Sequence, residues 1–290
     1  MGPMNVASGL FFIVILTRIP YNILSISVRA VEMNKMQETI KLSGFNNLTK
    51  ILSFNFYDFC IAMNEAQKQA YINYIHTKYS AKNIGQIARN VCEIIEANIL
   101  SETIQDYEPV GASTMTLMSD IKGGGNWELG AQGKAAVNMH LDKSHITTHT
   151  YPDASDPEGI CTFRLDLDVA TCGEIIPLKA LNYMFEVFEC DVVYIDYVVR
   201  GYTRLENGKK IYNDHYFNSI QDFIKKETLD LYQYRQDINI AHDNIWQTKL
   251  MIKPMGPENY LLDPNDRNHA DIDHKMNLLN QEMREVFHLN

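Results

Sequence analysis

Residues 161–170, CTFRLDLDVA, alternate between apolar and polar positions without interruption. Cys161, Phe163, Leu165, Leu167 and Val169 fall on one side of an extended chain, and Thr162, Arg164, Asp166, Asp168 and Ala170 on the other. A strand of period two buries one face only, which calls for an antiparallel sheet with a second face left polar. Other runs supply its neighbours: 51–60 (ILSFNFYDFC) reads as a buried strand, and 110–118, 145–151 and 244–252 have strand character. Residues 191–214 read as two strands joined around Asn207-Gly208.

Helices punctuate these runs. Asn64 is placed to cap one that carries Ala66, Ala70, Tyr74 and Ile75. Asn83 is placed to cap a second with Ile84, Ile87, Val91, Ile94 and Ile95 on one stripe. Pro177 suits the first turn of a third, bearing Leu178, Leu181, Phe185 and Phe188. A fourth is expected over 218–232, and an amphipathic helix from Asp273 ends the chain. No repeat or compositional break divides these elements. The expectation is one α+β domain, an antiparallel sheet with helices packed on one face, with a carboxy-terminal extension.

The 290 residues are 46% hydrophobic, enough for a substantial core. A formal charge of −10 argues against a nucleic-acid groove or an anionic membrane surface as partner. Five cysteines (Cys60, Cys92, Cys161, Cys172, Cys190) are odd in number and lack a CxxC pair, so no disulfide framework or zinc knuckle is expected and a cytoplasmic location fits. The apolar run at 10–16 (LFFIVIL) is too short to span a bilayer, and no basic residue precedes it as in a signal peptide. Residues 1–39 are read as an extension, with the functional chain starting near Met33 or Met36. The glycine run at 123–125 has no GK[ST] or strand-to-helix setting and reads as a linker.

The chemistry points to LDKSHITTHTYP at 141–152. A hydroxyl directly after Lys143, entering a β-branched segment flanked by histidines, is what a backbone needs to cleave itself. Ser144 attacks the Lys143 carbonyl, the amide becomes an ester, and β-elimination cuts the chain. That route passes through a tetrahedral oxyanion, so it requires nearby hydrogen-bond donors and a group to move protons. A metal site built on His140, His145 and His149 is the first rival. Its i,i+4 spacing assumes a helix, whereas Ile146, Thr147, Thr148 and Thr150 favour a strand, and no HExxH glutamate follows His145.

Taken with DYEPVGAS at 106–113, CTFRLDLDVATCG at 161–173, KLSGFNNLTK at 41–50, PLKALNY at 177–183, SIQDF at 219–223 and EMRE at 282–285, the segment resembles the pyruvoyl-dependent S-adenosylmethionine decarboxylases, in their longer bacterial subclass. The likeness spans roughly residues 40–290, which are read as one self-processing decarboxylase domain. It implies that Ser144 becomes a pyruvoyl group that forms a Schiff base with S-adenosylmethionine and serves as electron sink. It implies His149 and Ser113 as processing residues and Cys172 as the proton donor, since a thiol is a credible acid near neutrality. Tyr107 matches a stacking aromatic for adenine. Asp153 stands where the family has a ribose-binding glutamate, one methylene longer. The resemblance further implies decarboxylated product for spermidine synthesis, magnesium stimulation and a homo-oligomer of cleaved chain pairs. Two alternatives stay open: a relative that decarboxylates another amino acid such as ornithine or arginine, and an inactive partner subunit, which intact Ser144, His149 and Cys172 oppose.

Overall fold

The computed structural model describes residues 47–120, 144–188, 190–205 and 207–288. The amino-terminal apolar run, the glycine linker, His140 and Lys143 lie outside them. Within the described residues the strands are β1 (Thr49–Ile61), β2 (Ala97–Asp106), β3 (Ala112–Asp120), β4 (Ser144–Asp153), β5 (Ile160–Cys172), β6 (Val192–Arg200), β7 (Thr203–Arg204), β8 (Lys210–Ile211), β9 (Tyr232–Ile240) and β10 (Ile245–Ile252). The helices are α1 (Glu65–Lys78), α2 (Ala81–Ile94), α3 (Leu181–Val187), α4 (Lys226–Leu229) and α5 (Ile272–Val286). Eight strands form one sheet in the order β2-β3-β4-β5-β1-β6-β10-β9, each pair antiparallel.

The alternating strand behaves as its sequence requires. Cross-strand pairs Leu52–Val169, Phe54–Leu167 and Phe56–Leu165 join β1 to β5 at the sheet's centre, and all six side chains are buried. Each such side chain contributes about 1.5–3 kcal/mol of burial. Tyr71 and Ile75 of α1, and Ile84, Ala88, Val91 and Cys92 of α2, join the same core. The intervening residues of β1 and β6 face the other way, and there the carboxy-terminal extension packs: the Tyr194 hydroxyl donates to the Val286 carbonyl at the end of α5. The first three helices thus cover one face, and α5 covers part of the second.

Several local expectations change. Asn64 caps α1 as expected, accepting the Gln67 N–H at 3.0 Å. Asn83 does not cap α2; it lies inside that helix and its amide donates to the Thr77 and Lys78 carbonyls at 3.0 and 3.1 Å, closing the end of α1. The Ala81 N–H is instead satisfied by the Asp106 carboxylate at 2.6 Å. The buried stripe of α1 runs through Tyr71 and Ile75, with Ala66 exposed, because the larger side chains reach the sheet. Residues 191–214 give β6 in the main sheet and a separate β7–β8 hairpin around Gly208. No helix runs over 218–232: a 3-10 turn at Ile220–Phe223 is closed by the reciprocal Ser219–Asp222 cap, and extended Ile224 separates it from the single turn α4.

Candidate active site

Ser144 is the first residue of β4 and is 2% exposed. Its Oγ accepts the backbone N–H of Cys172 at 3.0 Å, so the two residues meet although 28 positions separate them. The register explains this contact. His145 pairs with Ala170, which sets Ser144 beside the last residues of β5. Gly173 then turns the chain with φ +67°, a conformation that favours glycine. Cys172 is the one cysteine of the five that is not buried, and all five are free. Burial pushes the Cys92 thiol up to about 11 and the Cys161 thiol up to about 12, which leaves those two chemically quiet.

Behind Ser144, on the face covered by α1–α3, the row continues through Thr171 to Lys50, which pair across β5 and β1. Lys50 is fully buried and its ammonium is joined to the Asp214 carboxylate, which also bonds His215 Nδ1 at 2.7 Å. Burial alone would raise the Asp214 carboxyl, but the His215 hydrogen bond and the Lys50 charge outweigh it and hold it at about 2. This ion cluster was not legible in the sequence, because Lys50 and Asp214 are 164 positions apart.

A second group gathers further along β4. His149 pairs directly with Ser113 of β3 on the uncovered face, and the Tyr107 hydroxyl donates to Ser113 Oγ at 2.7 Å. The turn that brings Tyr107 there is fixed against β4. Thr150 Oγ1 accepts the Ala112 N–H at 2.7 Å, and Gly111 sits at φ +110°, where a side chain is strained and a Cβ would come within a tight 3.2 Å of the Thr150 carbonyl. Tyr107 and His149 are exposed. Asp153 closes β4 on the same face, also exposed, and one of its oxygens accepts the Ser155 N–H at 2.8 Å.

Two further residues belong to this region. Asp166 faces His149 across β5 and holds Arg164 Nε at 2.8 Å and Asn55 Nδ2 at 2.5 Å. Glu282 of α5 feels the charges of Asp156 and Asp153; partial burial first, then Glu285 and those two carboxylates, raise its pKa. The alternation of 161–170 already put Asp166 on the polar face. Glu282 opens the EMRE motif, but nothing local in the sequence places it here, since only the fold brings α5 to the end of β4.

The two groups do not meet within one chain. His149 lies five steps of extended strand beyond Ser144, roughly 17 Å at the rise of a β-strand. An odd separation also puts their side chains on opposite faces. Among the described residues no group of three or more His, Cys, Asp or Glu side chains is arranged to hold a metal ion, so the triple-histidine rival has no described centre. No described helix is long and apolar enough to cross a membrane.

Comparison with known proteins gives these positions a setting. Residues 75–201 match the family model described as S-adenosylmethionine decarboxylase. A relative from Stenotrophomonas maltophilia (strain R551-3), named S-adenosylmethionine decarboxylase proenzyme, is 46% identical over 260 residues, covering 88% of this chain and 98% of its own. Relatives of the same name from Hahella chejuensis (strain KCTC 2396) and Pseudoalteromonas translucida (strain TAC 125) are 45% and 46% identical, covering 87% and 88% of this chain and 98% and 97% of their own. The crystal structure of the Aquifex aeolicus VF5 adenosylmethionine decarboxylase aligns with 60% of this chain and 100% of its own at 14% identity and a TM-score of 0.30. Identity of this order over nearly the whole of each sequence relative is decisive, and the chain belongs to the S-adenosylmethionine decarboxylase family.

Proposed function

We propose that this chain is an S-adenosylmethionine decarboxylase proenzyme that cuts itself between Lys143 and Ser144. The observation that carries the reading is the hydrogen bond from the Cys172 N–H to Ser144 Oγ, which ties the residue to be converted to the residue expected to return a proton. Ser144 Oγ adds to the Lys143 carbonyl carbon, and the C–N bond breaks as the amine of residue 144 takes a proton. Loss of the Cα proton then expels the Lys143 carboxylate from Cβ. Water hydrolyses the resulting enamine, by way of its imine, to a ketone and ammonia. Residue 144 is suited to this: it begins a rigid strand and is shielded from bulk water.

The pyruvoyl group supplies an electron sink next to the substrate's α-carbon. The chain's own residues do the rest. Cys172 holds the proton that replaces carbon dioxide, while Tyr107 of a second copy offers a flat exposed face for adenine and Asp153 of that copy a carboxylate for the ribose hydroxyls. His149 and Ser113 serve the processing step. Because they lie roughly 17 Å from Ser144 along β4, they serve it across a homo-oligomer, His149 and Ser113 of one copy acting on Ser144 of another. Magnesium is assigned no ligands and no step. The names of the matched relatives favour S-adenosylmethionine over ornithine or arginine. We place that activity in spermidine formation in the cytoplasm.

Intact-mass analysis of the purified protein tests the reading. The expected result is two fragments, 1–143 and 144–290, the second blocked to Edman degradation, with release of carbon dioxide from carboxyl-labelled S-adenosylmethionine and not from ornithine or arginine. A single uncut chain with full activity would overturn it.

A further inference from the structure

Strand β9 is the edge of the eight-stranded sheet beyond β10, and every residue from 233 to 240 is exposed. An edge strand presents unpaired backbone donors and acceptors, and proteins usually blunt it with lysine, proline or a bulge. Over Tyr234–Ile240 the register with β10 is regular, with neither lysine nor proline present. Each edge carries one irregularity, in β2 between Ile99 and Ser101 and in β9 at Gln233, which is skipped between Tyr232 and Tyr234, so the regular part of β9 begins at Tyr234.

The sequence of β9, YQYRQDINI, is complementary to itself when reversed. Two copies laid antiparallel about Gln236 pair Arg235 with Asp237 and Tyr234 with Ile238, all within the regular part of the strand. Each charged residue of this segment meets its opposite, and Tyr234 meets Ile238. Backbone geometry favours this register. The Val199 N–H donates to the Asn244 carbonyl, so even-numbered residues of β10 point their polar groups at β6 and odd-numbered ones at β9. Gln247 pairs with Ile238, so the even-numbered residues of β9 are satisfied by β10, and Arg235, Asp237 and Asn239 direct theirs outward. The Arg235–Asp237 pairs are then the hydrogen-bonded ones, each exchanging both backbone bonds.

The side chains are available for it. Arg235 makes no ion pair among the described residues, and Asp237 uses only Oδ1, which accepts from Gln221 at 2.9 Å and Thr248 at 2.7 Å. Tyr234 and Ile238 are 37% and 44% exposed.

We propose that β9 is a homotypic interface through which two copies of this chain join their sheets edge to edge about Gln236. This contact lies across the sheet from β4 and is additional to any sharing of the active site, so its fate is separable from the functional reading.

The test is sedimentation of the purified full chain together with cysteine cross-linking. Asp237→Arg and Arg235→Asp should each raise the dissociation constant for this contact on the order of tenfold or more, by setting like charges opposite one another. The double exchange R235D/D237R should restore it, while self-cleavage persists throughout. Gln236→Cys should form an inter-chain disulfide on mild oxidation, because the two-fold axis sets residue 236 opposite itself. Asn239→Cys should not. A monomeric wild type, an assembly indifferent to both single variants, failure of the double exchange to restore it, or a Gln236→Cys variant whose new thiol stays reduced would each overturn the proposal and leave the edge to another segment or another protein.

Discussion

Ser144 and His149 share one strand yet sit in opposite surroundings. Ser144 is buried, held by a backbone amide and backed by the Lys50–Asp214–His215 cluster. His149 is exposed on the opposite face, beside Ser113 and the Tyr107 hydroxyl bonded to it. The first region suits a step that must exclude water, and the second suits recognition of something that arrives from outside. In the proposed mechanism chemistry and recognition are segregated along β4, and a second copy joins them.

Changing the buried end should have the larger effects. Ser144→Ala removes the attacking oxygen, so mass spectrometry should find an uncut chain, with decarboxylation reduced at least ~10³-fold. Lys50→Met strands the Asp214 carboxylate in the core and should cost about 3–5 kcal/mol in urea unfolding. The sign with pH follows from Asp214, whose folded pKa of about 2 lies below its ordinary 3.8. Its contribution is complete above 3.8 and is lost as pH falls through about 2, so the gap between wild type and Asp214→Asn should close over that window.

Cys172→Ala leaves Ser144 in place and should still process. Its turnover number should fall about 10²-fold, with misprotonated product inactivating the pyruvoyl group. Unchanged turnover would assign the proton to another acid.

The exposed end should respond more gently. Asp153→Asn should raise KM for S-adenosylmethionine about tenfold, equivalent to about 1.4 kcal/mol, with cleavage untouched. Asp153→Glu should be tolerated or bind more tightly. If Asp153→Asn leaves the kinetics unchanged, the ribose assignment fails.

What the sequence disclosed follows the same division. Alternation over 161–170 and the buried run at 51–60 located β5 and β1, because strands facing a core on one side must repeat with period two. Tyr232–Ile240 fell in the gap between the helix expected over 218–232 and the strand expected at 244–252: beyond Tyr232 it is exposed on both sides, so no burial pattern marks it as a strand. Ala97–Asp106 was missed for the same reason. Ser113, Ser144, His149 and Cys172 were singled out by motif and family resemblance, which the sequence carries locally. Their separation into two groups was not legible, because it depends on β4 running straight from Ser144 to Asp153. Lys50 and Asp214 were missed because an ion pair that distant in sequence leaves no local trace.

The most direct test of this division is complementation between two inactive chains. His149→Ala and Ser144→Ala variants, carrying different tags, are co-expressed and the fate of each chain is followed by mass. If His149 serves Ser144 of another copy, the His149→Ala chain is cut at Lys143-Ser144 in the mixed assembly, whereas it stays intact when expressed alone. If it remains uncut beside a Ser144→Ala partner that has assembled with it, His149 acts within its own chain and the separation of the two ends of β4 does not describe the working enzyme.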